Sequence, residues 1–234
     1  MKVKYGMKEI WLGAKNGPKC NIFVSDDFFT NTGRCLVLIQ GTGAVRAGFW
    51  ARSVCINHGL VEGSVLRMIE FAKSVGQSVI VLNPNMSKDP LTGEKIANCK
   101  NMIEHTKFVW DNYLTKAKCP AQSLAIVAHS AGGRCVAALY RDYKREMLGR
   151  VRCLVFTDAL YHAMFDSLQA NEISDIQSYS IHFKRHAEGY PMDVGVLFEQ
   201  QNGPILEVSA GADKHELCTG RSLEAILSFM LERA

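Results

Sequence analysis

A chain of 234 residues, 47% hydrophobic and 21% charged, is long enough to bury one sizeable core, which excludes a disordered or fibrous protein. Its net charge of +4 and isoelectric point near 8.6 come from scattered basic residues and carry no nucleic-acid-binding signature. Without an apolar signal core or a run long enough to span a membrane, the sequence predicts a soluble intracellular protein, cytoplasmic or nuclear, with one domain over residues 1–234.

The first half of the chain alternates predicted strands and helices. Two short strands are joined through Asn16-Gly17-Pro18, because an Asn-Gly step readily takes the positive φ of a hairpin turn. The run "RCLVLIQGTG" is apolar throughout and predicts a strand buried on both faces. A helix follows, with Ser64 as its cap and Gly76 as its stop, and "QSVIVLNPN" is the next buried strand.

The second half repeats this alternation. The polar stretch from Met86 to Lys100 predicts a loop, "MIEHTKFVWDNYLTKA" a helix, and "SLAIVAHSAGGRCVAAL" a strand that turns directly into a helix. "VRCLVFTDAL" and "PILEVSAGADKHEL" are two more strands, and "SLEAILSFMLERA" is the closing helix. Between the last two strands, "SIHFKRHAEGYPMDVGVLFEQQNG" has no clear period and predicts a lid or a partner surface.

This order predicts an α/β fold in which helices flank a mostly parallel central sheet on both faces, a three-layer sandwich. Ligands of such sheets bind beyond the carboxyl ends of the strands. Three residues that follow predicted strands there are Ser130, Asp158 and His215. A serine hydroxyl becomes a nucleophile when a histidine takes its proton and a carboxylate holds that histidine. We therefore predict a catalytic triad of these three residues, in the chain order of α/β-hydrolases.

The segment Ala128-His129-Ser130-Ala131-Gly132 has the form of the G-x-S-x-G turn, with alanine at its first position. The backbone N–H groups of Ala131 and Thr42 are the candidate oxyanion donors. The candidate substrate-binding residues, drawn from the glycine-rich loop and the serine turn, are Gly41, Gly43, Arg46 and His129.

Each of these signals also has a purely structural reading. Glycine-rich loops and small residues at strand ends occur in any doubly wound fold, so neither defines a hydrolase alone. The acid also has an alternative, because Asp213 lies two residues before His215. We favour Asp158, which directly follows a strand, and Asp213 would then cap a turn or pair with Lys214.

The eight cysteines are spread singly and form no C-x-x-C pair. Several lie inside apolar runs, where a thiol behaves as a small hydrophobic group. The pattern predicts free thiols in a reducing compartment, no disulfide, no metal site and no cofactor. His58, His105 and His182 stand alone in the sequence and are not expected to bind ligands.

Five blocks in order, "LVLIQGTGAVRAGFWARSVCIN", "VIVLNPN", "VAHSAGG", "FTDAL" and "VSAGADKHEL", resemble the Arb-two domain family, named for an Argonaute-binding protein. The resemblance runs from about Cys35 to the C-terminus and implies an α/β-hydrolase-like fold. It implies serine, aspartate and histidine at the positions of Ser130, Asp158 and His215. Ala131 replaces a tyrosine frequent in the family, and the loop after "NPN" is shorter than in larger relatives, so substrate size and partner contacts are expected to differ.

Two hypotheses follow. The first is a serine hydrolase of the carboxylesterase type that acts on a small acyl or ester substrate. The second is a non-catalytic, hydrolase-like binding module with protein partners in RNA-silencing or chromatin complexes, which the family context implies. Neither hypothesis includes direct contact with nucleic acid or a membrane.

Overall fold

The computed structural model describes residues 1–233, which contain one eight-stranded mixed sheet. The strands are β1 (Lys8–Gly13), β2 (Lys19–Val24), β3 (Arg34–Ile39), β4 (Ser78–Val81), β5 (Ser123–His129), β6 (Val151–Thr157), β7 (Ser180–Lys184) and β8 (Glu207–Ser209). Their spatial order is β1-β2-β4-β3-β5-β6-β7-β8. β1 pairs antiparallel with β2, and β2 antiparallel with β4, whereas all other neighbours are parallel. The predicted α/β architecture is confirmed.

Helices connect the parallel strands and cover both faces of the sheet. They are α1 (Lys2–Tyr5), α2 (Arg52–Asn57), α3 (Leu60–Gly63), α4 (Leu66–Ser74), α5 (Met102–Val109), α6 (Gly132–Asp142), α7 (Lys144–Arg150), α8 (Ala170–Ser178), α9 (Cys218–Arg221) and α10 (Leu223–Leu231). A π-helical turn, Trp110–Leu114, extends α5, and 3₁₀ turns lie at His162–Ser167 and His215–Leu217. Within residues 1–233, every helix is too short or too polar to cross a membrane.

The central strands bury side chains on both faces, as their apolar runs predict. In β3, Val37 and Ile39 pack into the core on one side of the sheet, while Leu36 and Leu38 pack into the core on the other. Because side chains alternate along a strand, a strand covered on both sides has no polar face and reads as a continuous apolar run.

The first hairpin forms, but its turn differs from the prediction. Gly13 pairs with Lys19, so five residues, 14–18, make the connection. The positive φ lies at Gly13, with φ 125°, and not at Asn16 or Gly17. A Cβ at Gly13 would lie 2.6 Å from the Pro18 carbonyl oxygen, so glycine is required there by close backbone approach as well as by φ.

The sequence predicts a lid or partner surface without regular structure over residues 180–203, and this prediction is wrong for β7. His182 interrupts the apolar pattern of this strand, yet it is buried because both ring nitrogens have partners. Its Nδ1 lies 3.2 Å from Glu207 Oε1, and its Nε2 accepts the Ala159 N–H at 3.0 Å. A satisfied polar side chain can replace an apolar one inside a sheet, and sequence periodicity cannot detect this. Residues 185–206 are irregular, apart from an isolated bridge at Leu197.

Candidate active site

Ser130 lies at the turn between β5 and α6, with a φ of 55° in the left-handed region. Its N–H donates to the Thr157 carbonyl at 3.0 Å, and its own carbonyl accepts the Leu160 N–H at 3.0 Å. A Cβ on Gly41 would lie 2.6 Å from the Ser130 Cβ, and one on Gly132 would lie 2.7 Å from the Ile39 carbonyl oxygen. The small residues around Ser130 therefore allow the backbones to meet at a strained turn.

Asp158 and His215 form a hydrogen-bonded pair at the same edge of the sheet. Asp158 follows β6 with a φ of 40°, and its Oδ2 lies 2.6 Å from His215 Nδ1. A carboxylate can only accept, so Nδ1 carries the proton and the Nε2 of a neutral ring is left as a base. Burial raises the pKa of Asp158, but the hydrogen bond from His215 and the nearby guanidinium of Arg185 outweigh it and lower the pKa overall. Asp158 therefore stays ionised.

His129, the residue before Ser130, packs beneath His215. The two ring centroids lie 4.8 Å apart, with 31° between the planes. The Nδ1 of His129 lies 3.0 Å from the Thr157 carbonyl oxygen and 3.2 Å from Thr219 Oγ1, so this nitrogen carries the proton. Burial and the neighbouring His215 lower the pKa of His129 to about 4. The sequence predicts a substrate contact for His129, but the side chain is only 3% exposed and packs against His215 from below.

The glycine-rich loop after β3 faces the Ser130 turn. The side-chain amide of Asn85 donates to the Gly41 carbonyl. In a trans peptide the carbonyl and the next N–H point in opposite directions, so the Thr42 N–H points away from Asn85. Among residues 1–233, neither the Thr42 nor the Ala131 backbone N–H has an acceptor. Both groups are thus available to a ligand.

The remaining candidate substrate-binding residues make few contacts at the site. Gly43 is exposed, with φ 128° and open space around its Cα. Arg46 is exposed, and within the described residues its side chain bonds only the Val45 carbonyl.

Asp213 makes no side-chain hydrogen bond in residues 1–233, so the acid partner of His215 is Asp158. The Ser130 hydroxyl likewise has no hydrogen-bond partner there, and the third contact of the predicted triad is not formed.

Several residues at this site escaped the sequence analysis. Arg185 Nε lies 3.5 Å from Asp158 Oδ2, and 57% of the Arg185 side chain is exposed. Thr157 and Thr219 share a hydrogen bond of 2.6 Å that ties β6 to α9, four residues beyond His215. Asn85 is the last residue of the "NPN" motif, which indicates a turn but not the contact of Asn85 with the glycine-rich loop after β3. Only the fold brings these groups together.

A mostly parallel sheet with serine, aspartate and histidine at its strand ends defines an α/β-hydrolase-like protein. A histone deacetylase structure from Saccharomyces cerevisiae matches with a TM-score of 0.65 at 11% identity, covering 99% of this chain and 91% of that one. An esterase of Pyrococcus furiosus matches with a TM-score of 0.52 at 13% identity, covering 99% and 92%. Est1E from Butyrivibrio proteoclasticus matches with a TM-score of 0.51 at 12% identity, covering 96% of this chain and 98% of that one. At these identities the likeness is one of fold.

The chain is similar to proteins that carry an Arb2 domain. The Arb2 domain profile matches residues 6–89. A cotranscriptional regulator ARB2A homolog of Dictyostelium discoideum is 32% identical over 186 residues, covering 66% of this chain and 48% of the relative. Human cotranscriptional regulator ARB2A is 28% identical over 265 residues, and the match covers 92% of this chain and 62% of the human protein. The chain thus spans between about half and under two thirds of the length of these relatives.

Proposed function

We propose that this chain is a serine hydrolase that cleaves an ester, thioester or similar acyl group, with Ser130 as the nucleophile. The observation that carries the proposal is the 2.6 Å contact between His215 Nδ1 and Asp158 Oδ2, beside a serine at a strained strand-to-helix turn. This pairing orients His215 so that Nε2 can take a proton. Strain at a turn, held by surrounding contacts, is characteristic of functional sites.

In the proposed reaction, Ser130 Oγ attacks the carbonyl carbon of the substrate while His215 Nε2 takes the hydroxyl proton. The Thr42 and Ala131 N–H groups stabilise the oxyanion that forms. His215 then gives its proton to the departing alcohol or thiol, which leaves an acyl group on Ser130. A water molecule, deprotonated by His215, hydrolyses this acyl group and regenerates the serine. The ionised Asp158 stabilises the histidine cation in both steps.

The Ser130 to His215 hydrogen bond is the missing element of this arrangement. Catalytic hydrogen bonds are often long or poorly aligned in a site without substrate and tighten when substrate binds. His215 is tethered by Asp158 on one side and by the His129 ring below, so in the proposed reaction substrate binding brings Ser130 Oγ within hydrogen-bond distance of His215 Nε2.

Labelling with a fluorophosphonate probe tests the proposal, because the probe reacts covalently with an activated serine whatever the natural substrate is. We expect labelling of the wild-type chain and none of Ser130→Ala. Ser74→Ala is the matched control, because Ser74 is exposed on α4 and bonds only the Phe71 carbonyl. It should label like wild type. Absence of labelling in the folded wild-type chain would reject the hydrolase.

A second candidate is a binding module without turnover, in chromatin or RNA-silencing complexes. The observations that favour it are the names of the relatives, which are cotranscriptional regulators, and the similarity of fold to a histone deacetylase structure. Under this reading Ser130→Ala alters neither chemistry nor partner binding. An unlabelled but folded wild-type chain that retains its protein partners is the result that supports it.

A further inference from the structure

Two cysteines and a histidine, separated in sequence, meet in the interior away from the candidate active site. Cys20 lies on β2, Cys99 lies in the irregular segment before α5, and His105 lies on α5, all with 0% exposure. Cys99 Sγ is 3.4 Å and Cys20 Sγ 3.9 Å from His105 Nδ1, and the three atoms lie within 4.8 Å of one another. Cys20, Cys99 and His105 stand apart in the sequence and predict no cluster, and for these three residues that interpretation is wrong.

The position of one proton decides the chemistry of this cluster. The Asn83 backbone N–H donates to His105 Nε2 at 3.1 Å, so Nε2 must be an acceptor. A neutral imidazole then carries its proton on Nδ1, which faces the two sulfur atoms. Metal coordination through Nδ1 needs a free lone pair there, so this tautomer opposes a metal site and favours an N–H to sulfur hydrogen bond.

The hydrogen bonds make the two thiols unequal. The contact with Cys20 and the N–H of His105 together outweigh burial and lower the pKa of Cys99 below its ordinary value. The contact with Cys99 and burial raise the pKa of Cys20 well above its ordinary value. Cys20 also lies 3.5 Å from the Asn83 carbonyl oxygen, to which its S–H can donate. The arrangement is a thiolate beside a protonated thiol, which is the pairing of a nucleophilic and a resolving cysteine.

Cys99 lies in a segment suited to local opening. Residues 84–101 contain no helix or regular strand apart from an isolated bridge between Lys88 and Lys95. Most of this segment is exposed, and Ile96 and Cys99 are the side chains that anchor its second half in the core. Segments with few buried contacts open at low free-energy cost, which gives a small oxidant access to Cys99.

We propose that Cys20 and Cys99 form an oxidisable pair that hydrogen peroxide converts to a disulfide. The Cys99 thiolate attacks a peroxide oxygen, which releases hydroxide and leaves a sulfenic acid. The Cys20 thiol attacks that sulfur, its proton leaves with the sulfenic hydroxyl as water, and the S–S bond forms. One thiolate and one thiol lose two electrons in total, and one peroxide is reduced to one hydroxide and one water molecule. The proposed oxidation of Cys20 and Cys99 does not require that the chain is a hydrolase.

The disulfide would join β2 to the segment over the carboxyl end of β4. Asn83, which contacts Cys20 and His105, also accepts the Ala47 N–H through its side chain at 3.0 Å. Oxidation of the pair would therefore change the surroundings of Asn83, which a single hydrogen bond connects to the segment that follows Thr42.

Differential alkylation of the folded, full chain tests the pair. The protein is treated with hydrogen peroxide, its remaining thiols are blocked, and each cysteine is quantified by mass spectrometry with and without dithiothreitol. We expect Cys20 and Cys99 to be lost together, recovered by reductant, and found in one linked peptide. Cys135 and Cys153, two buried thiols whose pKa burial raises, are the internal control and should stay reduced.

Two variants separate the roles of the thiols. In Cys20→Ser, the Cys99 sulfenic acid cannot be resolved, so its trapping by dimedone should rise by about tenfold or more. Cys135→Ser, which removes another buried thiol, should behave as wild type. If Cys20 and Cys99 stay reduced at a peroxide dose that oxidises the half-buried Cys55, the proposal is overturned. Stoichiometric zinc or copper in the purified wild-type protein would also overturn it.

Discussion

The rings of His129 and His215 stack with their centroids 4.8 Å apart, and only the lower ring is buried. His129 is fixed by hydrogen bonds from its Nδ1, and His215 is fixed by its bond to Asp158. The stack limits rotation of the His215 ring. Because burial keeps His129 neutral, the platform does not repel a cation on His215.

Folding stability should depend on pH through His129. The folded chain keeps His129 neutral until pH falls to about 4, whereas the unfolded chain protonates it below the ordinary value of 6.5. The unfolded state therefore binds more protons in this window, and stability falls as pH falls from about 6.5 to about 4, by roughly 3 kcal/mol from this residue. Urea denaturation of wild type and His129→Phe across this pH range should show that the free energy of unfolding depends less on pH in the variant. His58→Phe, at an exposed position, should keep the wild-type slope, and equal slopes in all three chains would contradict the assignment.

The left-handed backbone at Ser130 should cost stability. Ser130→Ala keeps this strain and removes a hydroxyl that bonds nothing, so the free energy of unfolding should stay within roughly ±0.5 kcal/mol of wild type. Ser130→Gly relieves the strain and should raise stability by up to about 1 kcal/mol, after the entropy of glycine in the unfolded chain is included. Thermal and urea denaturation check both values. A destabilised Ser130→Gly would mean that the turn is not strained.

Replacing Asp158 should slow fluorophosphonate labelling far more than replacing Asp213. Asp158→Asn removes the carboxylate that fixes the His215 tautomer and should reduce the rate of fluorophosphonate labelling by roughly 10²- to 10⁴-fold. Asp213→Asn is the matched control and should stay within about twofold, because Asp213 makes no side-chain hydrogen bond in residues 1–233. Single-turnover labelling rates give the comparison. The reverse pattern would assign the acid to Asp213.

Gly41 should be intolerant of a methyl group for reasons of local geometry. Gly41→Ala would place a Cβ 2.6 Å from the Ser130 Cβ and force either the glycine loop or the turn to move. We expect a stability loss of about 1–3 kcal/mol from overpacking and a strong fall in labelling. Gly149→Ala on α7 has open space and no positive φ, so it should be neutral or stabilising. A Gly41→Ala chain that labels like wild type would show that the loop adjusts freely.

Every strand except β7, the alternation of strands and helices, and the edge at which Ser130, Asp158 and His215 lie can be predicted from the sequence alone. Apolar runs mark strands buried on both faces, and parallel strands place their carboxyl ends at one edge, so chain order is enough to bring those three segments to one side. Tertiary structure decided that His215 bonds Asp158 and not Asp213. It also placed His129 under His215, paired His182 with Glu207 inside β7, and assembled Cys20, Cys99 and His105. These contacts join residues far apart in the chain, and their geometry depends on packing and on which polar groups are satisfied, which spacing along one sequence does not encode.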